Sequence, residues 1–256
     1  MPTRVRPWLV VALLTLPSAA DAQVNTEPFR KRIKETGVSF FLQGTVDGHT
    51  GNTHGLTADG LVGAGLARGR HLAFAFASAD YSKFNGTLGV DKSFAHARYD
   101  YTLAKWVSLE AFVQAQSDAF QRVKTRGLIG IGPRFTLYDD PHFALFLGVA
   151  YMAERDVYDL SPGSADARLQ TAQRASTYLT AHATLSDGID TVTTTYAQPR
   201  LDAPSDIRIL SESGFVFKIS TWLSTSISFV ARYDSNPAPG VVPTDTELKN
   251  AITLTL

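Results

Sequence analysis

The sequence predicts an all-β fold: a single antiparallel transmembrane β-barrel of about twelve strands, with short periplasmic turns and longer extracellular loops. Three observations predict it. From Gly37 onward hydrophobic residues recur with period two, the period of a strand with one face in an apolar medium and one in a polar medium. Most of the alternating runs extend over roughly eleven to fifteen residues; strands of globular proteins average ~5–6, and strands crossing hydrocarbon need ~9–11 at their tilt. The connections between runs are alternately short and long, as at the two rims of an outer-membrane barrel.

Composition removes other classes. Lys plus Arg and Asp plus Glu stand at 24 each, so there is no basic surface for nucleic acid. Aromatic residues reach 11%, which disordered chains lack. With no cysteine there is no disulfide, thiolate metal site or cysteine nucleophile.

Residues 1–22 read as a signal peptide. Arg4 and Arg6 precede the apolar run Trp8 to Leu16, and Ala20-Asp21-Ala22 supplies the small-residue cleavage site. A run of about nine residues is too short for a spanning helix, which takes ~20. Residues 23–36 read as a periplasmic lead-in of one or two helical turns. Its basic run, Arg30-Lys31-Arg32 with Lys34, is expected to be solvated. Residues 37–256 read as the outer-membrane β-barrel.

Within the barrel, Val38, Phe40, Leu42 and Val46 alternate with Ser39, Gln43, Thr45 and Asp47. Leu109, Ala111, Val113 and Ala115 alternate with Glu110, Gln114 and Gln116. Val123, Ile129, Ile131, Phe135 and Leu137 oppose Lys124, Arg126 and Arg134. Turn signals place the strands at roughly 37–48, 54–66, 70–81, 91–103, 106–117, 123–137, 142–154, 171–185, 189–199, 205–218, 221–235 and 244–256. The odd-numbered connections, such as Ser82–Val90 and Arg155–Gln170, are the longer set; the even ones, such as Arg68-Gly69 and Asp139-Asp140-Pro141, are short. Trp106, Trp222 and Tyr138 adjoin short turns, where an aromatic girdle belongs. A soluble barrel or sandwich would need shorter strands and a drier interior, because the inner parity here carries many charges.

Those charges form the candidate site. Arg98, Asp100, Glu110, Asp118, Arg126, Arg134 and Arg174 share the inward parity and are expected to form a lumen charge network. Asp47, Asp59, Glu154, Arg208, Glu212, Arg232, Asp234, Glu247 and Lys249 share the same parity. A selective pore would show a ring of one sign. Interspersed signs favour a salt-bridged filling, with a narrow conducting path as the competing reading. Arg126 is expected to pair with Glu110 or Asp118, since an unpaired ion away from bulk water is costly.

Catalytic chemistry finds little support. None of the six histidines pairs with another at a metal spacing on one strand face. His49 and His54 flank the first loop with Asp47 and Asp59 in range, a conceivable metal site or Asp–His pair. No histidine is followed two positions later by serine, which argues against an outer-membrane phospholipase of the His-x-Ser kind. No catalytic, cofactor-binding or metal residue is assigned and no cofactor is expected.

Motifs along the strands are similar to those of a Gram-negative outer-membrane family of unknown function, often named salt-induced outer membrane protein. They are Thr50-Gly51-Asn52-Thr53, Arg98-Tyr99-Asp100, Gln116-Ser117-Asp118-Ala119-Phe120, Arg126-Gly127, Gly130-Ile131-Gly132-Pro133-Arg134, Arg174-Ala175-Ser176, Gln198-Pro199 and Tyr233-Asp234-Ser235-Asn236-Pro237. The chain ends on Leu256 where outer-membrane β-signals commonly end on Phe. The resemblance implies an outer-membrane barrel without an established substrate. It also implies outer-membrane lipid and the barrel-assembly machinery as partners, no nucleic acid, and an unspecified solute or ligand. The function expected is a non-enzymatic barrel, structural or narrow-pore, linked to osmotic or salt stress only through that family name. The alternative is an outer-membrane hydrolase with its site at the extracellular loop rim.

Overall fold

The computed structural model describes residues 27, 30, 33, 37–49, 55–160 and 169–255. The expected signal peptide, residues 1–22, lies outside them, as do residues 50–54 and 161–168. Twelve strands are present: β1 (Val38–His49), β2 (Gly55–Arg68), β3 (His71–Phe84), β4 (Thr87–Ala104), β5 (Val107–Asp118), β6 (Val123–Asp139), β7 (Phe143–Tyr158), β8 (Leu169–Ser186), β9 (Ile189–Pro199), β10 (Ile207–Lys218), β11 (Leu223–Asp234) and β12 (Thr244–Thr255). Each pairs antiparallel with the next, and β1 pairs with β12 to close the barrel. Closure leaves no strand edge with unpaired backbone groups, a condition for crossing hydrocarbon.

Strand parity sets the two faces. On β1, Val38, Phe40 and Leu42 are exposed while Ser39 and Phe41 are buried. On β5, Leu109 and Val113 point out, whereas Glu110, Phe112, Gln114, Gln116 and Asp118 are buried in the lumen. The outer face continues around the barrel through Val62, Ile129, Tyr151, Leu179, Phe229 and Leu248, all exposed. An apolar belt of that extent faces hydrocarbon, since water-soluble monomers rarely expose patches above a few hundred Å².

The structure departs from the expected pattern at three places that matter. A register shift between Val123 and Thr125 turns Val123 inward, where it is 2% exposed, against the outward parity expected for it. A second shift, at Thr102/Ala104, precedes the Lys105-Trp106 turn. Trp106, Trp222 and Tyr138 are 61%, 54% and 52% exposed, and Trp106 stacks on Phe135 at 6.3 Å, so the three project outward beside the short turns. The Tyr138 hydroxyl donates to Asp140 at 2.6 Å. That bond, with the N–H groups of His142 and Phe143, holds the Asp140 carboxyl below its ordinary range. A third departure is the β3–β4 connection. Instead of a long loop over 82–90, Asn85 and Gly86 turn the chain with φ of 48° and 82°, the left-handed pair of a two-residue hairpin, and β4 begins at Thr87.

The asymmetry holds at most of the other connections. Gly69-Arg70, Lys105-Trp106 and Asp187-Gly188 turn in two residues at one rim, and 200–206 and 235–243 loop at the other; the β5–β6 connection, 119–122, is no longer than 219–222 at the short-turn rim. If the long-loop rim faces outward from the cell, Asp202→Cys will react with a membrane-impermeant thiol reagent on intact cells and Gly188→Cys will not. The converse labelling would invert the topology.

Candidate functional site

Inward side chains gather in three levels. Near the short-turn rim, Asp100 on β4, Glu110 on β5 and Arg134 on β6 converge on two residues that precede the barrel. Arg30 donates to both Asp100 and Glu110. Arg134 donates to the two carboxylate oxygens of Glu27 at 2.7 and 2.8 Å. The Tyr178 hydroxyl reaches across from β8, donating to Glu110 at 2.6 Å and accepting from Arg134 at 3.0 Å. Arg98 lies 3.7 Å from Glu110 and over the Phe112 ring at 5.1 Å, so an aromatic face supplies part of its stabilisation.

The middle level is aromatic and amide-rich. His96 stacks among Phe76, Phe94 and Phe112 with ring centroids 5.5, 6.2 and 6.1 Å away. Gln198 donates to Ser176 at 3.1 Å beside the buried Met152. The long-loop level is ionic again. Arg126 makes a two-pronged contact with Asp156, Nε at 2.8 Å and Nη2 at 2.7 Å. Arg208 on β10 donates to Glu154 at 2.6 Å and to Asp156 at 3.2 Å, both on β7. Arg174 on β8 donates to Glu154 at 3.4 Å and Asp206 at 2.9 Å.

All seven expected lumen residues are buried, but they do not meet as one network. Arg98, Asp100, Glu110 and Arg134 gather at the short-turn level; Arg126 and Arg174 belong to the long-loop level. Asp118 ends β5, where its Oδ1 accepts the N–H groups of Phe120 and Gln121 at 2.9 Å each, closing the turn. The expected partner of Arg126 is corrected to Asp156. Register explains it, since Arg126 lies opposite the neutral Gln116 on β5 and opposite Asp156 on β7. Glu110 is engaged by Arg30 and Tyr178. Arg30 is 3% exposed, so at this position the expected solvated basic run is overturned.

Glu27, Arg30, Tyr178 and Asp156 were not in the expected set. The three-residue spacing of Glu27, Arg30 and Ile33 was the available signal for the first two, because it puts them on one helical face. Among the described residues no group of three or more His, Asp or Glu is placed to hold a metal ion. The described histidines offer no nucleophile–base pair: His71 contacts the Tyr99 hydroxyl at 2.7 Å, and His182 lies 3.8 Å from Asp190. The side chains of Asp47, His49 and His54 lie outside the described residues.

A family profile described as "Protein of unknown function, DUF481" matches residues 45–255. No curated protein matches the chain. Among solved structures, the translocator domain of autotransporter NalP from Neisseria meningitidis is 12% identical, covering 90% of this chain and 94% of its own, with a TM-score of 0.49. The KdgM porin is 10% identical, covering 85% and 98%, with a TM-score of 0.49. A bacterial polysaccharide outer membrane secretin is 9% identical, covering 86% and 98%, with a TM-score of 0.48. The closed twelve-stranded barrel is read from this chain's own strand pairing.

Proposed function

The chain belongs to the family described as "Protein of unknown function, DUF481", and within it we propose that this protein is an outer-membrane barrel whose lumen is closed by its own side chains, a wall element without enzymatic activity. The observation that carries the reading is Arg208 of β10 reaching Glu154 and Asp156 of β7. These strands are separated by β9 and β8, so the contact passes through the lumen rather than along the wall. Tyr178 of β8 does the same toward Glu110 of β5. Paired and hydrogen-bonded charges of this kind are strongly destabilised by losing one partner, which favours a permanently filled interior over a hydrated channel. The osmotic or salt-stress setting implied by the sequence resemblance fits the same proposal, because a closed barrel adds membrane protein without adding leak. The test is solute-driven swelling of liposomes containing the full mature chain. Vesicles should swell no faster than protein-free controls in a small sugar; swelling that slows only with larger solutes would make the protein an open sieve and remove the proposal.

A further inference from the structure

We propose that the middle level of the lumen carries an occluded halide site, in which Arg98 and Tyr196 hold one chloride-sized anion. The site goes beyond the closed-barrel reading and does not depend on it.

A cavity of about 20 Å³ lies at this level. Phe112, Leu128 and Met152, a buried cluster, form its apolar wall. Its polar wall includes Arg98 on β4, Gln114 on β5 and Tyr196 on β9. Strands that far apart in the barrel order place the cavity in the lumen and not within one hairpin.

Two of these side chains carry donors that the protein does not match. Arg98 is 6% exposed and Tyr196 4%. Nε and Nη1 of Arg98 and the Tyr196 hydroxyl are buried with no hydrogen-bond partner among the described residues. The acid paired with Arg98 cannot serve them. Glu110 lies 3.7 Å from Arg98 Nη1, beyond hydrogen-bond reach, and its two oxygens accept Arg30 and the Tyr178 hydroxyl. Asp100, the next acid on β4, accepts Arg30. The Phe112 ring, 5.1 Å from the guanidinium, steadies the charge of Arg98 but accepts no hydrogen bond from these two nitrogens.

The unmatched groups share a polarity. A guanidinium only donates, and a phenol hydroxyl can donate. Leaving such groups buried without an acceptor is costly, and more so for a charged one. Water would accept from them, but it brings two O–H donors that need acceptors in turn. A halide accepts from several directions, donates nothing and sets a negative charge beside Arg98. Size narrows the class further. The cavity has room for one or two water-sized groups at ~10–15 Å³ each, too little for a carboxylate, phosphate or sulfate. The apolar wall favours chloride or bromide, which give up their hydration more readily than fluoride.

The test is urea unfolding of the full mature chain in lipid vesicles, with sodium chloride replacing sodium gluconate at constant ionic strength. Gluconate is too large for the cavity. The wild-type folding constant should rise in proportion to chloride once the site is largely filled, as for one anion bound by the folded state, and bromide should act alike. Tyr196→Phe keeps the ring and removes one donor, so it should need several-fold more chloride for the same gain. Arg98→Gln should abolish the gain; if that variant does not fold, the Tyr196→Phe titration decides alone. A wild-type folding constant indifferent to the anion, the mark of a cavity holding water only, would overturn the proposal. So would a chloride response that Tyr196→Phe retains in full, the mark of a general salt effect. Neither outcome bears on whether the barrel conducts, because unfolding reads binding and not permeation.

Discussion

Replacing Arg126 by alanine is expected to destabilise the barrel by about 3–5 kcal/mol, the range for breaking a buried ion pair by removing one partner. Arg126 and Asp156 are each 2% exposed, so the variant leaves a buried carboxylate without its two-pronged partner. Arg208 at 3.2 Å offsets part of the loss at Asp156. Asp156→Ala should also be costly, because it strands Arg126 with Glu154 at 3.9 Å as its remaining acid. The double variant should cost less than the sum of the singles, with a coupling energy of about 1–3 kcal/mol. Reversible denaturant unfolding in lipid bilayers measures all three. Additive costs would mean that the pair contributes nothing beyond its separate residues.

The second large effect lies on the outer face. Phe229→Arg is expected to cost about 2–4 kcal/mol if the position is near the bilayer midplane. Phe229 is 51% exposed and lies between Ser213 and Leu248 on its neighbouring strands. Its neighbour Ser228 points inward, toward Lys249 and Gly214, where polar groups accommodate a guanidinium better. Ser228→Arg should therefore cost less than Phe229→Arg. Equal costs in the same unfolding measurement would contradict the parity assigned to β11.

The barrel is legible in the sequence because period two is imposed by two different media. Ser39 and Phe40, or Glu110 and Ala111, cannot exchange faces without burying a polar group in lipid, so the register is strongly specified. Legibility stops where local signals compete. Arg155-Asp156 reads as a charged loop start, yet β7 runs on to Tyr158; Glu154 and Asp156 point in and Arg155 points out. The run is a strand with an ionic inner face. Ser82 to Val90 reads as a long loop because Lys83, Asn85 and Gly86 are turn-forming or charged, but only Asn85 and Gly86 turn.

The candidate site was legible as a set of inward charges and not as a set of pairs. Parity states which face Arg126 occupies. It does not state whether its partner comes from β5 or β7, which depends on bulges at Gln116/Asp118 and Val123/Thr125. The lead-in was the least legible part. A short polar segment is ordinarily solvated, and the helical spacing of Glu27, Arg30 and Ile33 marks a face without naming what it meets. The acids Asp100 and Glu110, the base Arg134 and the small Gly65 that receive it come from four different strands.

Single-channel recording of the wild-type protein reconstituted in planar bilayers tests the closed lumen most directly. A barrel bridged by Arg208, Glu154 and Asp156 should show a quiet baseline with no persistent conductance step. Stable ohmic steps in every insertion, unaffected by Arg126→Ala, would mean a water-filled pore and contradict the account.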